Sequence, residues 1–414
     1  MDRDYKVFGA KSHKYRLNPT VSIEEVRQFE QEYHLTLPEE YVFFLTKVGN
    51  GGAGPYYGLY SLKTLRIYNG DNQFNDNPVF IDNNLTLETW NQKVHVLYDD
   101  DCNGTDNNDA WDRIEAEILA GVLVIGTQGC TYDHLLMCKG SETGKIVYDN
   151  NDWSPDCPPF LTGITFLDWY EQYFEEIIAG NDITSYGYIR LGTEAELLNA
   201  YSCAKELKEK SKILSSLFRF EKLSDDTIMF LESITDQELD SARVQLLFKN
   251  DIKRGLLVFE NLLERQHTDA VVDCARKMPQ QYKNDYYNSM LTLLYGKNNI
   301  NKQKILYFLC DCSCKKAADI VAFATDEQNT EDFRKTAVYV MGTCDDVLDF
   351  MDSFILWMKG SSYWLAHTAL QAMLNTRSAS DQLLKAYRWM WDRYKNDSTM
   401  RANLQHAPIT FDTI

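Results

Sequence analysis

Several things are scarce in this 414-residue sequence, and each scarcity excludes something. No uninterrupted apolar run approaches the ~20 residues of a membrane-spanning helix. The opening MDRDYKVFGAKSHKYRLNPTVS is polar and charged, without the apolar stretch of a secretory leader. Together these set the expectation of a soluble, cytoplasmic chain with no membrane partner. The 10 cysteines form no C-x-x-C pair, and only 7 histidines accompany them. Cys310, Cys312 and Cys314 cluster as CDCSC, but a zinc site needs four ligands and no histidine is near. Reduced cysteines buried as small hydrophobes are expected instead. Positive charge is also short: 42 Lys and Arg face 61 Asp and Glu, a net charge of -19. The deficit lies at the front, where residues 1–180 hold 13 Lys and Arg against 29 Asp and Glu. A field of that sign repels nucleic acid and anionic membrane and attracts basic partners.

What is present falls into two styles. Within the first 180 residues, VSIEEVRQFEQEY has helical apolar spacing, with Ser22 as N-cap and Glu25 three residues on. LPEEYVFFLTKV places Pro38 and acids at a helix start. Short β-rich segments follow between Asn, Asp and Gly clusters: KTLRIYN, VHVLY, GVLVIGT, DHLLMC and GKIVYD. TFLDWYEQYFEEIIAG then reads as an amphipathic helix stopped by Gly180. This order suggests an α+β domain over residues 1–182. Residues 183–414 read as helix after helix. A period near 32 residues aligns Ile305, Ala337 and Ala369, and likewise Phe308, Val340 and Ala372. Paired helices at that interval suggest a HEAT-like helical-repeat domain. The polar stretch AGNDITSYGYIRLG is the expected break between the domains.

Between LPEEYVFFLTKV and KTLRIYN, GNGGAGPYYGLY concentrates glycine. A phosphate loop needs G-x-x-x-x-G-K-[ST] between a strand and a helix, and that pattern is missing. The expected role is a corner, with Gly49 ending the helix in a left-handed cap and Gly51 and Gly52 turning the chain. DDDCNGTDNNDAWD matches half of an EF-hand loop at Asp99, Asp101, Asn103 and Gly104. Its twelfth position is Ala110 rather than a bidentate Glu, so no metal or other cofactor is expected. Cys130 and His134 lack the supporting groups a thiol nucleophile requires, and no enzymatic activity is expected.

The series Leu37, Pro38, Tyr41, Phe44, Leu45, Asn50, Gly51, Gly52, Gly58, Leu59 and Tyr60 resembles the start of the SUKH superfamily. That group comprises bacterial toxin-immunity proteins and fungal cell-wall regulators. Gly126, Gly129, Asp133 and Gly144 continue the pattern, and the resemblance covers about residues 20–178. It implies an antiparallel sheet flanked by helices and no catalytic residues. The expected function is an immunity protein that neutralises a cognate protein toxin by stoichiometric occlusion; the alternative is a scaffold or signalling regulator. The partner would present a basic surface to Asp99, Asp100, Asp101, Asp106 and Asp109. Tyr56, Tyr57 and Trp111 would be the aromatic anchors.

Overall fold

The computed structural model describes residues 2–69, 77–98, 107–266, 268–296 and 301–411. The chain divides into two compact units, Met1–Leu223 and Ser224–Ile414. The first contains α1 (Ala10–His13), α2 (Ile23–Glu32), α3 (Glu39–Phe43), α4 (Leu62–Tyr68), α5 (Leu87–Val94) and α6 (Asn107–Ile118). Strands β1 (Val122–Gly129), β2 (Tyr132–Met137), β3 (Lys145–Asn150) and β4 (Phe160–Thr165) follow. The unit ends with α7 (Phe166–Ala179), α8 (Glu194–Cys203) and α9 (Leu207–Leu217).

The strands form one antiparallel meander in the order β1-β2-β3-β4. Their side chains alternate between two cores. Leu123, Ile125, Leu136, Ile146 and Tyr148 join Phe29, Tyr41, Phe44, Phe166 and Trp169. Val122, Val124, Leu135, Met137 and Val147 join Trp90, Ile114 and Trp153. A sheet covered on both faces favours apolar residues at successive positions, which is why Val122–Ile125, Leu135–Met137 and Ile146–Tyr148 are short unbroken apolar runs. The expected α+β architecture is therefore present.

Local chemistry explains several element ends. Ser22 Oγ accepts from the Glu25 N–H at 3.1 Å, while the Glu25 carboxylate accepts from the Ser22 N–H at 2.9 Å; this reciprocal cap starts α2. Gly180, at φ 79°, ends α7 in the left-handed region. Other expectations need correction. KTLRIYN is helix α4: the Ser61 hydroxyl accepts from the Thr64 N–H at 3.2 Å, and Leu62 and Leu65 are buried while Ile67 is 73% exposed. That spacing of three belongs to a helix. VHVLY completes α5 and a 3-10 turn, His95–Tyr98, so Trp90, Val94 and Leu97 are buried along one helical face. Gly49 is extended, at φ 179°, and the positive φ values fall on Gly51 and Gly52 instead. The helix before it closes with a wide turn, the Gly49 N–H donating to the Phe44 carbonyl at 2.9 Å.

The glycine corner seals the edge of β1. The Tyr60 N–H donates to the Ile125 carbonyl at 2.8 Å, and the Tyr57 N–H to the Thr127 carbonyl at 3.3 Å. Between these and α4, the Asn69 side chain acts as a further rung: its Oδ1 accepts from the Val124 N–H at 2.7 Å and its Nδ2 donates to the Val124 carbonyl at 3.1 Å. Glycine is required because backbone meets backbone. A Cβ on Gly126 would lie 2.4 Å from the Gly58 carbonyl oxygen, and one on Gly58 2.2 Å from that of Gly52. An exposed sheet edge is a template for unwanted pairing, and here it is covered by the chain itself.

Residues 183–223, placed with the helical domain in the sequence reading, belong to the first unit. Tyr186 is 1% exposed within its core. Its hydroxyl donates to the Trp169 carbonyl. Arg219 pairs with Glu176 at 3.0 Å, the side chains 3% and 12% exposed. The polar look of 181–192 conceals these buried tyrosine and arginine contacts.

The second unit is helical throughout its described residues. It comprises α10 (Asp225–Ser233), α11 (Asp240–Asn250), α12 (Ile252–Glu264), α13 (Thr268–Lys277), α14 (Gln280–Lys283), α15 (Tyr287–Tyr295) and α16 (Lys302–Asp311). It continues through α17 (Val321–Thr325), α18 (Glu331–Met341), α19 (Met351–Lys359), α20 (Tyr363–Thr376), α21 (Asp381–Arg393) and α22 (Ser398–Leu404). Helices α11, α13, α16, α18, α20 and α22 pack each on the next, and α12, α15, α17 and α19 each pack on the helix that follows. Ile305, Ala337 and Ala369 are all 0% exposed; Phe308 and Val340 are 0% and Ala372 6%. Side chains bridge successive helices of the first series: Lys304 Nζ reaches Asp273 at 2.5 Å, and Gln303 Nε2 donates to Thr336 Oγ1 at 2.9 Å.

Candidate functional site

The far end of the β1–β2 hairpin exposes a group of aromatic side chains. The turn holds Gly129 at φ 98° and Cys130 at φ 52°. A side chain on Gly129 would come within 2.7 Å of the Tyr57 ring, so the bare glycine lets that ring lie flat across the turn. Tyr57 is 40% exposed, Phe8 58%, Tyr132 42% and Tyr188 39%. Phe8 meets Tyr57 edge-on at 5.4 Å, and the Tyr188 hydroxyl donates to Gln128 Oε1 at 3.2 Å. A hollow of about 310 Å³ beside them is walled by Lys6, Phe8, Tyr56, Tyr173 and Ile183 among others. Exposed aromatics of this kind supply contact area at low entropic cost.

The anticipated anchors do not converge. Tyr56 is 8% exposed, and its hydroxyl donates to the Tyr186 carbonyl at 3.0 Å; it is a core residue that shows only a small area to the hollow. Trp111 stacks on Trp153 at 5.5 Å, half-buried against the core on the opposite face of the sheet. Tyr57 alone lies on the exposed aromatic surface. Asp99, Asp100, Asp101 and Asp106 lie outside the described residues, as does the half EF-hand match. Asp109 falls in the first turn of α6, its side chain also outside the description. Phe8, Tyr132 and Tyr188 escaped the sequence reading because only the tertiary fold brings Phe8 onto Tyr57 and Tyr188 onto Gln128 of the hairpin that carries Tyr132. The positive-φ turn at Gly129 and Cys130 was the available hint.

Among the described residues no group of three or more His, Cys, Asp and Glu is arranged to hold a metal. Helix α16 ends at Asp311, so Cys310 lies on the helix and Cys314 beyond it. Cys312 is buried, its thiol directed to the Phe308 carbonyl at 3.5 Å. Cys130 is exposed on its turn whereas His134 is wholly buried, so the two occupy different environments. No described helix is long and apolar enough to cross a membrane.

His134 packs against the rings of Tyr56, Tyr148 and Trp169 at 5.3–5.4 Å. Burial pushes its pKa down to about 3, a shift only partly offset by the Pro55 carbonyl. Asp149, 2% exposed, is pushed by burial up to about 6, although its carboxylate accepts from the Trp153 indole at 2.9 Å. The signs oppose. A neutral buried imidazole gains a proton on unfolding below about pH 6.5, so stability falls with acid by about 1.4 kcal/mol per pH unit down to its folded pKa. A buried carboxylic acid loses a proton on unfolding between about pH 4 and 6, so its contribution is lost as pH rises through that window. His13, lowered, acts with His134, and Asp133, raised, acts with Asp149. Across that window the two contributions therefore oppose each other in urea unfolding. In Asp149→Asn the acid slope from His134 should emerge; an unchanged profile in that variant would contradict the assignment.

The fold so far defines a class: an α+β domain with a sheet covered on both faces, sealed along β1 and carrying exposed aromatics at one hairpin end. Residues 20–172, within the first unit, match the family model of the SMI1 / KNR4 family (SUKH-1), over nearly the stretch that the resemblance covers. The match does not extend into the helical unit. Comparison with curated proteins gives no match.

Proposed function

We propose that the chain is an immunity protein that binds a cognate bacterial toxin and blocks it by occupying its working surface. The SUKH-1 match over residues 20–172 is the observation that carries this reading, and the exposed aromatics supply a surface suited to it. Tyr57, Phe8, Tyr132 and Tyr188 provide the buried contact area of the complex. The acidic surplus of residues 1–180 steers a basic toxin domain and speeds encounter more than it tightens the complex. A regulatory scaffold of the same family would use the same surface without neutralising anything.

The test is rescue. The C-terminal domain of a large secreted protein encoded beside this gene should stop bacterial growth when expressed alone. Growth should return with this chain, which should form a stoichiometric complex with that domain. Tyr57→Ala combined with Tyr188→Ala should speed dissociation, at a cost on the order of 2 kcal/mol or more. Converting Asp99, Asp100, Asp101, Asp106 and Asp109 to Asn should slow association and flatten its salt dependence. A toxic neighbour that this chain neither binds nor silences would refute immunity and leave the scaffold reading.

A further inference from the structure

We propose that the exposed face of α13, α16, α18, α20 and α22 is a docking groove for an extended acidic peptide, a binding site separate from the aromatic surface of the first unit. Two hollows of about 380 and 650 Å³ lie along this face and share Tyr339, Thr368 and Gln371 as walls. They form one continuous depression across the helices. Tyr307, Tyr339, Gln371 and Asn403 line it, one from each of α16, α18, α20 and α22. Gln371 and Asn403 are 32 residues apart and bonded at 3.3 Å. The repeat thus presents a polar rung at each helix.

Rung spacing suits a peptide. Packed helix axes lie about 8–10 Å apart, and an extended chain advances about 3.3 Å per residue. Each helix therefore meets about every third residue of a strand laid across the array. The Asn375 carboxamide carries both a donor and an acceptor, the complement of a peptide group, and Gln371, whose Nε2 donates to Asn403, keeps its Oε1 to accept. Tyr307 and Tyr339, 38% and 52% exposed, offer ring surface between them.

Charge selects the sign of the partner. The chain is strongly acidic overall, at -19, yet this groove is not. Arg276 and Arg377 each line one of the hollows, and neither is paired with a carboxylate among the described residues. Arg276 lies over the Tyr307 ring at 5.2 Å, which holds its charge at the groove wall. Lys335 adds a third cation, shared with Asp332 at 2.6 Å. The only described wall carboxylate, Asp311, is engaged by Lys283 at 2.5 Å. Carboxylates arriving here gain partners, whereas a lysine-rich segment meets like charge. Three cations spread over five helices are too few to track a phosphodiester backbone, whose affinity depends on many such contacts.

Phage-displayed peptides of about 12 residues, long enough to cross the array at 3.3 Å each, should be panned against the whole chain. Enriched sequences are then titrated as fluorescein-labelled synthetic peptides, beside a single-stranded oligothymidylate. The enriched pool should include peptides of net negative charge whose binding weakens with added salt. Affinity should fall at least about tenfold both in Arg276→Glu with Arg377→Glu and in Gln371→Ala with Asn375→Ala. All four side chains are exposed, so melting temperatures should stay unchanged. Failure to enrich any acidic peptide, or acidic-peptide binding indifferent to both double variants, overturns the proposal. Oligothymidylate binding more tightly than the selected peptides reassigns the groove to nucleic acid and equally overturns it.

Discussion

A fragment ending at Asp182 should fail to fold, whereas one ending at Leu223 should fold cooperatively. Cutting at 182 removes Tyr186 from a core in which it is 1% exposed, and loss of a buried aromatic costs about 3–5 kcal/mol. It also removes Arg219 from Glu176, leaving a carboxylate that is only 12% exposed without its partner. Breaking a buried ion pair from one side costs about 3–5 kcal/mol more. Tyr56 loses the carbonyl its hydroxyl bonds. The total rivals the whole stability of a typical domain, about 5–15 kcal/mol. Near-ultraviolet circular dichroism and urea titration of the two fragments decide the matter. A cooperatively folded 1–182 fragment would place the division at the polar stretch after all.

Gly58→Ala should be among the most damaging single substitutions in the first unit. The residue has φ +91°, and its added Cβ would lie 2.2 Å from the Gly52 carbonyl oxygen, a backbone atom that cannot swing aside. Left-handed strain of about 1–2 kcal/mol adds to an overpacking cost of about 1–3 kcal/mol. At about 2–4 °C per kcal/mol for a unit this size, the melting temperature should fall by about 10 °C. Gly163→Ala is the control: φ is +75°, but nothing lies within 4 Å of its Cβ position. That variant should show the strain alone. Equal losses in the two variants would mean that the contact with Gly52 is unimportant.

How much of this was legible in the sequence depended on how far the cause lay from the residue. The cap at Ser22 and Glu25, the stop at Gly180 and the burial register of Ile305, Ala337 and Ala369 arise within a few residues or from a repeat, and all three could be read. KTLRIYN misled because its β-branched and aromatic residues favour strands locally, while the Ser61 cap and the burial of Leu62 and Leu65 decided otherwise. Strand β4 went unseen because FLTGIT is half-buried and interrupted by Gly163. Tyr56 and Tyr57 are adjacent and chemically alike, yet one is internal and the other external. That difference is set by Tyr186, 130 residues away from Tyr56, and by Gly129 beneath Tyr57.

The seal along β1 also has a kinetic side. The hairpin of β1 and β2 can form from neighbouring residues, but Asn69 reaches Val124 across 55 residues. Closing so long a loop carries an entropic cost that grows with the logarithm of its length, so the hairpin is expected to precede its cover. In that interval Val124, Ile125 and Thr127 present unpaired amides and carbonyls beside an apolar strand. Two such chains meeting in solution can pair with each other before either one closes. Refolding yield should then fall as protein concentration rises, and fall further in Asn69→Ala, so that one buried carboxamide governs how much protein reaches the folded state.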